Sequence, residues 1–241
     1  IDEPAGRAIA DDLQARGATV DRISVTEPLK GSLGMYAVGR TLFYNAPDPV
    51  AVVDLTEAHS LPGRHNAQNA AFALSAAIAL GIPEDVAIRG LMTFPGLAHR
   101  METVGQLGTV RFVNDSKATN ADAARQALMS YPTSFWIAGG RAKEGGIAEL
   151  SDLWPRIAHA YLIGEAADDF AATLSAVPHT ICRDMTTAVA QAAADAGKVA
   201  QTDGPQVVLL SPACASFDQY PDFEVRGEAF RAAVLNLGAT T

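Results

Sequence analysis

A chain of 241 residues with 49% hydrophobic and 19% charged side chains has material for one large packed unit or two modest ones and is too apolar for a disordered polymer. Its formal charge of −9, from 18 basic against 27 acidic residues, comes with no lysine- or arginine-rich block, which argues against a nucleic-acid partner. The most apolar stretch, residues 70–82, is broken by Ser75 and Gly81 and falls short of the roughly 20 residues that a membrane helix needs.

Ile1 opens directly on acidic, helix-like sequence without the basic start, apolar stretch and cleavage site of a secretory signal. The two cysteines, Cys182 and Cys214, are too few for a disulfide framework and lack metal-ligand spacing. A cytoplasmic protein is therefore expected. Residues 3–17 carry a helical pattern with Ala8, Ile9 and Leu13 on one side, and residues 19–25 alternate as a strand. An α/β unit normally enters its helix from a strand. None precedes this helix, so the first half of the unit is expected to lie elsewhere. Residues 35–45 give two β-like runs around Gly39-Arg40, and residues 50–53 give another. Helices are expected over 65–80 and 83–92, the second with Pro83 in its first turn, where a missing N–H costs nothing.

Phe94-Pro95-Gly96 then breaks the pattern. Residues 100–106 and 110–113 read as a hairpin, followed by strands at 134–138, 160–163, 180–182 and 207–210. Helical patterns separate them at 121–129, 150–157, 166–174, 186–196 and 224–237. Such alternation implies an α/β fold: a mainly parallel sheet with helices on both faces. The boundary divides 1–97 from 98–241.

Polar residues and glycines gather where the expected strands end, the place where open α/β sheets bind ligands. In Gly63-Arg64-His65-Asn66-Ala67-Gln68-Asn69, Asn66 and Asn69 stand three apart, so both amides can meet the edge of a purine; the plainer reading is that Asn66 caps a helix. Arg100, in Gly96-Leu97-Ala98-His99-Arg100-Met101-Glu102, suits a phosphate or ribose oxygen, or a carboxylate such as Glu102. Asn114-Asp115-Ser116-Lys117-Ala118-Thr119-Asn120 packs a carboxylate for a ribose hydroxyl, a lysine for phosphate and donors at a helix start into seven residues. Its plainer reading is a polar turn with Asn120 as the helix cap. Gly139-Gly140-Arg141-Ala142-Lys143 and the run from Ser211 to Asp218 can approach one ligand from neighbouring strand ends, with Lys143 offering a point charge and Ser211 and Ser216 hydroxyls. Cys214 reads as a small buried residue rather than a nucleophile, and His59, His159 and His179 stand alone.

These clusters, in this order, resemble the Mur ligase family, most closely its D-glutamate-adding branch, over nearly the whole chain. Asn114 to Asn120 is the strongest match, and the run from Ser211 to Gln219 with Phe223-Glu224 and Arg226-Gly227 points to that branch. The resemblance implies the later part of a central ATPase domain at 1–97 and a Rossmann-like, amino-acid-binding domain at 98–241. It implies an ATP-dependent ligase of peptidoglycan precursor synthesis that adds D-glutamate to UDP-N-acetylmuramoyl-L-alanine through an acyl phosphate. Asn66, Asn69, Arg100, Asp115 and Lys117 would then serve ATP, with Lys117 also at the reacting centre. Thr119, Lys143, Ser216, Phe217 and Phe223 would bind D-glutamate. No Gly-x-x-x-x-Gly-Lys-Ser/Thr phosphate loop occurs, and the Mg2+ ligands and uridine-nucleotide domain of the family are missing too. The chain alone is therefore expected to be inactive, and its parent a monomeric enzyme acting on small molecules, without nucleic acid or membrane. A sister ligase, a folylpolyglutamate synthase and a non-catalytic anion-binding α/β module are the alternatives.

Overall fold

The computed structural model describes residues 3–29, 31, 33–199 and 205–240, which fall into two units, Ile1–Pro95 and Gly96–Thr241. In the first, helix α1 (Pro4–Ala15) precedes strands β1 (Arg22–Ser24), β2 (Gly34–Val38), β3 (Thr41–Tyr44) and β4 (Val50–Asp54) and helices α2 (Gly63–Ala79) and α3 (Glu84–Met92). The sheet runs β1-β2-β3-β4, with β1 and β2 parallel and the other pairs antiparallel. Buried Ala67, Ala70, Ala71 and Leu74 make one stripe of α2 at helical spacing, packed in a core with Ile23, Met35, Leu42 and Leu55.

Two readings of this unit need correction. The expected apolar side of α1 is not covered: Ile9 and Leu13 are 62% and 39% exposed, and only Ala10 is buried. Polar bonds hold the helix instead, Arg22 donating to Asp11 at 2.5 Å and to Gln14 at 2.6 Å. The strand expected over 19–25 shrinks to Arg22–Ser24. Its partner Gly34 has φ +137°, and a Cβ there would lie 1.8 Å from the Arg22 carbonyl oxygen, so this close pairing requires glycine.

The second unit contains β5 (Glu102–Leu107), β6 (Val110–Asn114), α4 (Ala121–Met129), β7 (Ser134–Gly139), β8 (Arg141–Ala142), a 3-10 segment (Ala148–Arg156), β9 (Ile157–Ile163), α5 (Ala167–Thr173), β10 (His179–Arg183), α6 (Met185–Ala196), β11 (Gln206–Leu210), β12 (Cys214–Ala215) and α7 (Phe223–Asn236). Six strands order as β10-β9-β7-β11-β6-β5; all neighbours are parallel except the β5–β6 hairpin. The expected α/β architecture is thus found. Every residue of β7 is buried, as a central strand covered on both faces requires. Successive side chains enter opposite cores, Trp136 one and Ile137 the other.

The helix expected over 150–157 is a 3-10 segment. Pro155 within it has no N–H to donate and would clash in an α-helix, while buried Leu150 and Leu153, three apart, suit three residues per turn. The short antiparallel pair of β8 with β12 has no counterpart in the sequence reading. Among the described residues no helix is long and apolar enough to cross a membrane.

Candidate functional site

Strands β6, β11 and β7 lie side by side in the second unit, so the loops that leave their carboxyl ends are neighbours. The first follows Asn114. Its Nδ2 lies 3.1 Å from His99 Nδ1, 3.3 Å from Glu102 Oε2 and 3.2 Å from the Gly227 carbonyl. Since Nδ2 donates, His99 Nδ1 accepts and the imidazole proton sits on Nε2. A Cβ on Gly227 would fall 2.2 Å from His99 Nδ1, so the histidine rests directly on the backbone of α7. Glu102 is taken by Arg231 at 2.5 Å. Exposed Arg100 therefore does not use Glu102 as its partner, and its side chain makes no hydrogen bond among the described residues. His99 and Met101, on either side of it, have φ of 60° and 49°, a left-handed geometry disfavoured by about 1 kcal/mol per residue.

Asp115 is a buried brace. Oδ1 accepts from Met101 N at 3.2 Å and Oδ2 from Ser211 Oγ at 3.0 Å. Burial pushes its carboxyl up to about 7, against hydrogen bonds from Ser211 and Met101 and the charge of Arg100, which pull it down. The folded value lies above the ordinary 3.8, so its contribution to stability is full below about pH 4 and is lost as pH rises through about 7. The loss is about 4 kcal/mol. Asp115→Asn is expected to flatten the pH dependence of the unfolding midpoint between pH 4 and 8, read by urea titration at each pH; an unchanged slope would refute the assignment.

Ser116 meets the side chain that ties the loops together. Arg226, 1% exposed, donates from Nε to Ser116 Oγ at 3.0 Å, from one terminal nitrogen to Ser116 O at 2.8 Å and from the other to Cys214 O at 2.9 Å. Ser116 Oγ in turn donates to Phe223 O at 2.8 Å. The loops after β6 and β11 and the start of α7 thus share one guanidinium. Exposed Lys117 lies beside this junction with Nζ 3.9 Å from the centre of the Phe223 ring, and Thr119 N donates to Lys117 O at 2.9 Å. Asn120 does cap α4, its Oδ1 accepting from Ala123 N at 2.8 Å.

The glycine pair serves the third loop. Gly139 and Gly140 have φ of +122° and +126°, and a Cβ on Gly140 would stand 2.4 Å from Ala215 O. This lets β8 pair with β12, Ala142 against Cys214 and Arg141 against Ala215. Lys143 and Ser216 leave opposite ends of that ladder. The Lys143 side chain is exposed and has no hydrogen bond or ion pair among the described residues, whereas Ser216 is 2% exposed. Phe217, 65% exposed, lines a cleft of about 340 Å³ with Arg141, Gly164, Glu165, Arg183, Asp218 and Gln219. Burial drives the Cys214 thiol up to about 12, which suits packing and not nucleophilic attack.

In the first unit, Asn66 stands four residues beyond the cap position, which Pro62 occupies, so it is not the helix cap. Its Nδ2 donates to Pro62 O at 2.8 Å and its Oδ1 accepts from Asn69 Nδ2 at 3.3 Å, which orients both amides together. Arg40 secures the preceding loop through the carbonyls of Leu55, Leu61 and Gly63 at 2.8, 2.6 and 2.9 Å. Sequence reasoning placed Arg226, His99, Asn114, Asp218 and Arg40 within its motifs but gave them no role, and the structure makes them the organisers. Their types and positions flagged the loops, whereas the distant partners they hold are not written in neighbouring residues.

Residues 99–214 match the Mur ligase, glutamate ligase domain. The chain is 57% identical over 241 residues to a UDP-N-acetylmuramoylalanine–D-glutamate ligase of Caulobacter sp. (strain K31), covering 99% of this chain and 50% of that protein. It is 51% identical over 243 residues to the protein of the same name from Agrobacterium fabrum (strain C58 / ATCC 33970), covering 100% and 51%. The chain thus spans about half the length of the curated relatives it matches. Among solved structures, a bifunctional folylpolyglutamate synthase/dihydrofolate synthase from Yersinia pestis CO92 superposes with a TM-score of 0.59 at 19% identity, over 96% of this chain and 50% of that one. A UDP-N-acetylmuramate-alanine ligase from Thermotoga maritima gives 0.53 at 14%, over 82% and 44%. At such identities the two structures speak for the fold alone.

Proposed function

The chain carries the glutamate ligase domain of the Mur ligase family, and from that premise we propose that it is the carboxy-terminal half of a UDP-N-acetylmuramoylalanine–D-glutamate ligase, a cytoplasmic, monomeric enzyme of peptidoglycan precursor synthesis. In that reaction the carboxylate of UDP-N-acetylmuramoyl-L-alanine takes the terminal phosphate of ATP, and the amine of D-glutamate displaces phosphate to form the amide. The work is positioning and charge stabilisation. The observation that carries the reading is the Arg226 junction, which ties Ser116, Cys214 and the Phe223 carbonyl together and so joins the loops that carry Lys117 and Ser216 to the start of α7 within one parallel-sheet unit.

In this proposal Lys117 stabilises negative charge at the reacting centre. Thr119, Lys143, Ser216, Phe217 and Phe223 receive D-glutamate, a dianion whose complement is an ammonium, hydroxyls and backbone N–H groups. Arg100 serves the ribose and phosphate side of ATP, and Asp115, whose two oxygens accept from Met101 N and Ser211 Oγ, supports that side by holding the backbone next to Arg100. Asn66 and Asn69 serve its adenine; the exposed Asn69 amide keeps its oxygen and one N–H for a base edge. Mg2+ would neutralise phosphate charge. Its ligands are expected in the amino-terminal part of the parent protein.

ADP release measured with the muramoyl substrate, ATP and each amino acid in turn tests the assignment. The full-length parent is expected to turn over with D-glutamate and not with L-amino acids. The 241-residue chain is expected to stay at background. Turnover of the parent with an L-amino acid alone would overturn the substrate assignment, and ordinary turnover by the bare chain would overturn its incompleteness.

A further inference from the structure

Phe217 is too exposed for burial to fix it, and the turn that carries it and Ser216 is short: Gln219 N and Tyr220 N donate to Ser216 O at 3.1 and 2.8 Å. Something outside the turn must set its position. Two side-chain tethers do so among the described residues. Gln219 Nε2 donates to Arg183 O at 2.7 Å, and Asp218 Oδ2 accepts from the backbone N–H of Glu165 at 2.9 Å.

The second tether lies at a three-loop junction. A Cβ on Gly164, whose φ is +68°, would stand 2.2 Å from Asp218 Oδ2 and 2.9 Å from Gly140 Cα. Here the turn after β9, the glycine pair ahead of Lys143 and the Ser216 turn touch through bare backbone and one carboxylate. That carboxylate sits at a cost, because Oδ1 is buried with no hydrogen-bond partner among the described residues. Attraction to the buried Arg226 guanidinium offsets part of it. Asp218 is thus tied to the two features that build the amino-acid site, the Arg226 junction and the glycine pair.

We propose that Asp218 is a positioning residue for amino-acid recognition: by holding the 216–219 turn against the backbone after β9, it places Ser216 and Phe217 for the incoming substrate. The inference rests on the function proposed above. Asp218 itself touches no substrate and moves no proton in this scheme; it acts through the turn.

The test compares Asp218→Ala with Asp218→Asn, which keeps an oxygen to accept from the Glu165 N–H. In the full-length parent, Asp218→Ala is expected to raise KM for D-glutamate at least about tenfold while KM for ATP and for the muramoyl substrate stay within about twofold; Asp218→Asn is expected to remain within about threefold throughout. In the 241-residue chain, amide hydrogen exchange at Gln219 and Tyr220 is expected to quicken about tenfold in the alanine variant and little in the asparagine variant. An unchanged KM for D-glutamate in Asp218→Ala, or equal rises in all three KM values, overturns the proposal, as does unaltered exchange at the turn. Should the alanine variant fail to accumulate, Asp218→Ser, too short to reach Glu165 N–H, is read by the same criteria. A wild-type parent that ignores D-glutamate refutes the proposed function instead, and the exchange measurement then decides the role of Asp218 by itself.

Discussion

Replacing Arg226 with methionine is expected to lower the thermal midpoint of the second unit by about 10 °C, from a loss of about 3 kcal/mol in a domain of this size. Two effects oppose each other at this site. Burial lowers the guanidinium from 12.5 to about 10, with smaller contributions of the opposite sign from Cys214, Asp218 and Tyr220, so desolvation costs the charged form about 3 kcal/mol. Against this stand three hydrogen bonds from a charged donor, each worth roughly 1.5–3 kcal/mol. The bonds win. Methionine fills much of the volume yet leaves Ser116 O and Cys214 O without their donor, and each orphaned buried acceptor costs about 1–3 kcal/mol. Differential scanning calorimetry reads the result. A midpoint within about 2 °C of the wild type would mean that water or a neighbour replaces the guanidinium and that the junction does not depend on it.

For Lys117→Met in the full-length parent, kcat is expected to fall about a thousandfold, the upper range for removing one preorganised charge or donor at a reacting centre. Stability should hardly change. The Lys117 side chain is exposed, and its only recorded interaction among the described residues is the Phe223 ring at 3.9 Å, a contact worth about 0.5–1 kcal/mol at an exposed site. The pairing of a large catalytic loss with an intact midpoint separates this lysine from Arg226, which is expected to lose fold and function together. Lys117→Arg keeps the charge on a longer fork and should recover part of the rate. A kcat within tenfold of the wild type in Lys117→Met would remove the lysine from the chemistry and leave it a surface residue.

Asp115 shows where the two scales of description part. Read as sequence, Asn114 to Asn120 offers a loose collection of ligand-binding groups. In the fold, Asn114, Asp115 and Ser116 spend most of their hydrogen-bonding capacity inward on His99, Met101, Ser211 and Arg226, and Lys117 and Thr119 are left to face outward or partly so. The cluster was legible because polar residues crowd a strand end. The division of labour within it was not, since it depends on α7, more than 100 residues further along the chain.

The sequence by itself determined the α/β class, the order of nearly all strands and helices, the family and the loops that carry the candidate site. These follow from local regularities: apolar residues at intervals of two or three to four, glycines and prolines where the chain must turn, and motifs written in consecutive letters. Only the tertiary structure decided that α1 leaves Ile9 exposed, that residues 148–156 tighten to a 3-10 segment, that β8 joins β12, and that Arg226 and Asp218 hold separate loops in place. A buried arginine or an inward carboxylate has the same letter as a solvated one. Its burial is set by what distant segments bring to it, and that information lies in the packing of the whole unit.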